Sequence, residues 1–267
     1  MKSYTTFTCL VLALALPSMV TANPAADEVK LEIREGRPVV DGVYVNGHGP
    51  YRFLLDTGAT LNQIEPALAQ SIGLTKTFET PLTTSTGITS ASGSEGHEVR
   101  LGPKSADGQV FLFAGMDAIH QLSSDIQGVL GQVFLSRFDY LLDVRARRMA
   151  FGNAALDGKG TRAPFTIVQG RPVVATNLGQ LVLDSGAHFM VRFGVRAAEA
   201  THEMVTASGT TQVGTVFSKL VIAGRTLWRG DAIAVPRPAE SGAEGLLPIS
   251  VFKTVYVSNS ENYVVLD

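Results

Sequence analysis

The feature that most constrains this chain is that it reads twice. "GRPVV" stands at 36–40 and again at 170–174, and "FLLDTGA" at 53–59 is answered by "LVLDSGA" at 181–187. Further on, "TSTG" ending at Gly87 is echoed by "TASG" ending at Gly209, and "QGVLGQVFL" from Gln127 by "EGLLPISVF" from Glu244. Four correspondences in one order describe an internal duplication. The second copy loses a few residues between successive landmarks, as expected when surface loops shorten on a retained core. A Gly- and Ala-rich stretch, "GNAALDGKGTRAP" at 152–164, lies between the copies and reads as a linker. The predicted organisation is a first lobe over 23–151, the linker over 152–164 and a second lobe over 165–267, each within the usual domain size.

Most of each copy reads as strand. β-branched and aromatic residues flank Asn46-Gly47 in "VYVNGHGPYRFLLD", a strong hairpin signal. "LLDVRARRMAF" and "VYVSNSENYVVL" each resemble two short strands joined by a polar turn. Helix is expected only in brief stretches, "EPALAQSIGL" ending at Gly73 and "VRAAEATH" at 195–202. The predicted class is all-β with minor helix.

Composition excludes several functions. A formal charge of -2 and a charged fraction of 17% over 267 residues leave no basic stripe for nucleic acid and no acidic tail. The first 22 residues carry one lysine, a short apolar run, Pro17 and small residues at Val20 and Ala22, the layout of a secretory signal peptide cleaved after Ala22. The expected mature protein is exported, periplasmic or secreted, without a membrane anchor. Cys9, the single cysteine, leaves with the signal, so neither a disulfide nor a thiolate nucleophile is expected.

The chemistry is carried by the repeated aspartates. Each copy runs an apolar strand into a carboxylate, Asp56 or Asp184, where burial is unfavourable unless the group is hydrogen-bonded or used. Duplication can bring the two carboxylates face to face about a pseudo-two-fold axis. Like charges about 3 Å apart cannot both ionise, so the pair shares a proton, one pKa falling and the other rising. One partner can then take a proton from water while the other donates to a carbonyl. Gly58 and Gly186 permit close backbone approach, and Thr57 and Ser185 offer hydroxyls able to bond backbone across the lobe junction. Taken singly, Asp-Thr-Gly and Asp-Ser-Gly are also ordinary turn chemistry. Their duplication after apolar strands favours the acid–base reading.

Other chemistries find little support. His202 in "HEM" lacks the second histidine of a metalloprotease helix, and no Gly-x-Ser-x-Gly elbow occurs. "GNAALDGKG" does not have the spacing of a phosphate-binding loop, and Arg145, Arg147 and Arg148 read as a solvated turn. No metal and no cofactor is expected.

With "LLDTGAT" and "LVLDSGAH", each followed by a polar Gly-containing segment and then by "GVLG" or "GLLP", the chain resembles the two halves of an aspartic peptidase. The lobes resemble the retroviral type, and the single-chain duplication resembles the pepsin type, a duplicated bacterial-type enzyme. The resemblance implies a bilobal acid-protease-like β fold acting as a monomeric pseudo-dimer, and a water activated by Asp56 and Asp184 to hydrolyse a peptide or protein substrate. It implies flap hairpins at 83–96 and 205–214, with Thr86, Gly87, Ser208 and Gly209 touching substrate. It also implies that 128–131 and 245–248 pack beneath the aspartates. Pro248 stands where the first copy has Gly131, and His188 where it has Thr60. A peptidase-like binding protein that keeps the cleft without catalysis is the alternative.

Overall fold

The computed structural model describes residues 27–84, 87–152, 160–197, 202–206, 209–238 and 241–267. The expected signal segment and Cys9 lie outside them.

The first half contributes β1 (Glu28–Arg34), β2 (Arg37–Val45), β3 (His48–Leu55), β4 (Asn62–Ile64), β5 (Phe78–Thr84), β6 (Gly87–Leu101), β7 (Lys104–Phe113), β8 (Gly128–Leu130), β9 (Tyr140–Asp143) and β10 (Arg148–Phe151). Its short helices are α1 (Pro66–Ser71), α2 (Asp117–His120) and α3 (Gln132–Leu135). The second half contributes β11 (Thr161–Val168), β12 (Arg171–Thr176), β13 (Gly179–Asp184), β14 (Val191–Phe193), β15 (His202–Thr206), β16 (Gly209–Ile222), β17 (Arg225–Val235), β18 (Gly245–Pro248), β19 (Thr254–Ser258) and β20 (Tyr263–Leu266). The all-β, acid-protease-like class holds.

The duplication is visible in the pairing. β3 runs parallel to β8 with Leu55 opposite Leu130, and β13 runs parallel to β18 with Leu183 opposite Leu247. β4 pairs β8 antiparallel and β7 parallel, and β14 pairs β18 and β17 in the same senses. Each aspartate thus stands at the C-terminal end of a strand clamped by the Gly-containing segment of its own copy.

The halves are joined by a shared antiparallel sheet in the order β1, β10, β9, β19, β20, β11. Both outer strands divide their pairing. Glu28 to Lys30 of β1 pair with β10, whereas Leu31 to Arg34 turn to β2; Thr161 to Pro164 of β11 pair with β20, whereas Phe165 to Val168 turn to β12. Thr161 to Pro164 are therefore strand and not linker. The reason is that Leu266 to Tyr263 would otherwise present an unpaired edge. Apolar alternation suits the two faces: Leu142, Met149, Val255, Val257 and Val264 face the main core, while Leu141, Ala150 and Tyr256 form a separate cluster.

Asn46 (φ 48°) and Gly47 (φ 79°) both have left-handed backbone and join β2 to β3, as a primed hairpin turn requires. α1 begins at Pro66, where a missing N–H costs nothing, and stops before Gly73 at φ 74°. The second expected helix is not seen over 195–197, which have no regular structure; 198–201 lie outside the described residues. Among the described residues no helix is long and apolar enough to cross a membrane.

Candidate active site

Asp56, just after β3, and Asp184, the last residue of β13, meet at the junction of the halves. Thr57 and Ser185, both fully buried, lock the two turns reciprocally. The Thr57 N–H donates to Ser185 Oγ at 2.9 Å, and the Ser185 N–H to Thr57 Oγ1 at 2.9 Å. The hydroxyls pass on their own protons, Thr57 Oγ1 to the Leu183 carbonyl at 2.6 Å and Ser185 Oγ to the Leu55 carbonyl at 2.7 Å. Each hydroxyl is thus donor and acceptor at once, which leaves no polar atom of this buried knot wanting.

The glycines complete the approach. A methyl group on Gly58 would stand 2.5 Å from the Asp184 carboxyl carbon, and one on Gly186 would stand 2.5 Å from that of Asp56. Neither glycine has a left-handed φ, so proximity and not backbone conformation excludes a side chain.

Both carboxyl groups are half-buried and share a hydrogen bond. Asp56 Oδ1 accepts from the N–H groups of Gly58 at 2.8 Å and Ala59 at 3.2 Å; Asp184 Oδ1 accepts from Ala187 at 2.9 Å. Burial raises both pKa values above the usual carboxylate range, and the Asp56 charge raises Asp184 further. The expectation that one would fall is therefore corrected: desolvation outweighs the hydrogen bonds at Asp56.

Several neighbours escaped sequence reasoning. Arg37, in the repeated "GRPVV", donates from Nε to the Gly186 carbonyl at 2.8 Å. Burial lowers its pKa against the charges of Glu35, Asp184 and Asp56. Glu35 also approaches His188 Nδ1 at 3.4 Å, and the His188 ring lies 3.9 Å from that of Phe189. The repetition of Arg37 and Arg171 within "GRPVV" was the available signal.

Beneath Asp56 lies a polar network: Asn62 Oδ1 accepts from the Gly131 N–H at 3.0 Å, Asn62 Nδ2 donates to Gln109 Oε1 at 3.1 Å, and Gln132 Nε2 donates to the Thr57 carbonyl at 2.8 Å. Beneath Asp184 the corresponding residues are Met190, Pro248 and Ile249, all buried and apolar. Pro248 lacks the N–H of Gly131, and Met190 lacks the acceptor of Asn62. The two changes match.

The expected flaps are hairpins. Gly87 opens β6 opposite Thr84, and Gly209 opens β16 opposite Thr206. Thr86 and Ser208 lie outside the described residues. Among the described residues no cluster of His, Cys, Asp and Glu suits a metal. A cavity of 390 Å³ lies away from the aspartates, lined by residues including Lys104, Arg137, Asp139 and Asn259.

Fold and turns together define an acid-protease-like fold that brings two aspartates into contact. Residues 42–134 match the family model described as aspartyl protease, a stretch that includes Asp56-Thr57-Gly58 and stops short of the second aspartate. This match supports an aspartic peptidase family and a hydrolase function. No curated protein matches the chain.

Proposed function

We propose that the chain is an exported, monomeric aspartic endopeptidase in which Asp56 and Asp184 jointly activate water against a peptide carbonyl. The observation that supports this reading most directly is the crossed packing of each turn glycine on the other half's carboxyl group, which holds two raised carboxyl groups in hydrogen-bonding contact. The ionised member accepts a proton from water as its oxygen bonds to the carbonyl carbon. The protonated member gives its proton to the carbonyl oxygen. Collapse of the resulting diol breaks the C–N bond, with a proton passing to the leaving amine. The ground for a binding-only protein, Pro248, loses force because no acceptor faces it.

Asp56→Asn and Asp184→Asn should each abolish cleavage of an unstructured protein substrate while circular dichroism stays unchanged, because the shared proton belongs to the pair. Wild-type cleavage on the acid side, stopped by a statine-type inhibitor, is the companion result. Turnover retained in either variant would overturn the proposal. Mass measured in solution tests the monomer, and fractionation of the source cells tests export.

A further inference from the structure

We propose that Gln132 is a positioning residue: its buried amide, donating to the Thr57 carbonyl, makes Asp56 and not Asp184 the ionised member of the pair. This rests on the dyad reading of the site.

Gln132 is 5% exposed and opens α3, the short helix behind the first turn. Its backbone N–H donates to the Ala59 carbonyl at 2.8 Å, so backbone and side chain both hold the same turn. The Thr57 carbonyl that receives the amide belongs to the peptide unit whose N–H is that of Gly58. That N–H is the 2.8 Å donor to Asp56 Oδ1. A hydrogen bond accepted at the carbonyl end of a peptide unit polarises it and strengthens donation from its N–H end. The chain Gln132, Thr57, Gly58, Asp56 therefore stabilises negative charge on Asp56. In the second half Ile249 occupies the place of Gln132 and offers no donor.

Arg37 acts in the opposite sense, polarising the Gly186 carbonyl of the peptide unit whose Ala187 N–H reaches Asp184. Its charge is drawn on by both aspartates and by Glu35, which also contacts His188. The balance falls to Asp56 because three N–H groups reach it, those of Gly58 and Ala59 in its own turn and of Gly186 across the junction, where two reach Asp184, those of Ala187 and Gly186. The Gly186 N–H is drawn on by both carboxyl groups and favours neither.

The test is site-resolved carbon-13 titration of the aspartate carboxyls in the whole protein, with resonances assigned from Asp56→Asn and Asp184→Asn. In the wild type Asp56 should ionise first. Gln132→Met, which keeps the volume and removes the donor, should raise the Asp56 midpoint by about half a pH unit, the direction expected when a donor to the charged form is weakened. The acid limb of kcat should rise with it, lowering kcat about threefold at pH values below the limb with KM unchanged. Gln132→Asn, whose amide is too short to reach, should shift the same midpoint and serves if the methionine variant does not fold. Asp184 ionising first, or an Asp56 midpoint unmoved in the folded variant, would overturn the proposal. A wild type that titrates as expected yet cleaves nothing would instead defeat the peptidase reading and leave the positioning role standing.

Discussion

Gly58 and Gly186 have no room for a side chain, since each faces the other half's carboxyl group at 2.5 Å from where a methyl would sit. Gly58→Ala must push the Asp184 carboxyl aside or part the turns. Displacements of about 1 Å at reacting groups cost about a hundredfold in rate, and kcat/KM should fall by at least that. Thermal stability should fall too, because the Thr57–Ser185 knot lies in the same turn. A Gly58→Ala variant with wild-type kcat/KM would show that the halves are looser than their packing. The importance of this glycine was legible in the sequence, but its reason was only half legible. A Gly after Asp-Thr suggests a turn, whereas here the demand for space comes from a residue 126 positions away; single-copy reading has no means of seeing it, and the duplicated motif gave the only hint.

The loops beneath the aspartates show which features belong to elements and not to single residues. Read alone, Pro248 looks like a defect in a supporting loop. Set beside β14 and the 3-10 turn Ile249–Val251, it is one part of an apolar exchange in which Met190, Pro248 and Ile249 replace Asn62, Gly131 and Gln132. Pro248→Gly should therefore destabilise the protein by about 2 kcal/mol, combining greater freedom of the unfolded chain with a new buried N–H that finds no acceptor. Adding Met190→Asn should recover part of the loss, by restoring the pairing seen between Asn62 and Gly131 at 3.0 Å. Urea midpoints of the two variants check this, and a double variant no more stable than the single would break the proposed equivalence. Strand positions were readable because β-branched residues and Asn-Gly declare them locally. The polar network was not, because Asn62, Gln109 and Gln132 are far apart in sequence and nothing local marks any of them as buried.

At the scale of the whole molecule, the shared sheet joins the halves, and one carboxylate at its edge ties them further. Asp139, just before β9, accepts from the Ser260 N–H at 2.9 Å and from the hydroxyls of Ser260 at 2.5 Å and Ser258 at 3.2 Å. Asn259, in the same turn between β19 and β20, donates to the carbonyls of Phe138 at 2.6 Å and Leu135 at 3.1 Å. Burial works against ionisation of Asp139, but the bonds from Ser260, Ser258 and the Asn259 backbone outweigh it and hold its pKa below the usual value. A group depressed in the folded state contributes stability that is present above the unfolded-state pKa, about 3.9, and is lost as pH falls through the folded value. Asp139→Asn should therefore cost about 1 kcal/mol at neutral pH, discounted for the solvent that reaches this carboxylate, and progressively less as the medium becomes strongly acid. An enzyme working on the acid side would meet the upper part of this window, so the tie between halves would weaken only at the lower end of its range. Thermal midpoints of wild type and Asp139→Asn at a series of pH values should converge on acidification; parallel curves would show that the Ser258–Ser260 turn is held by Asn259 and the sheet alone.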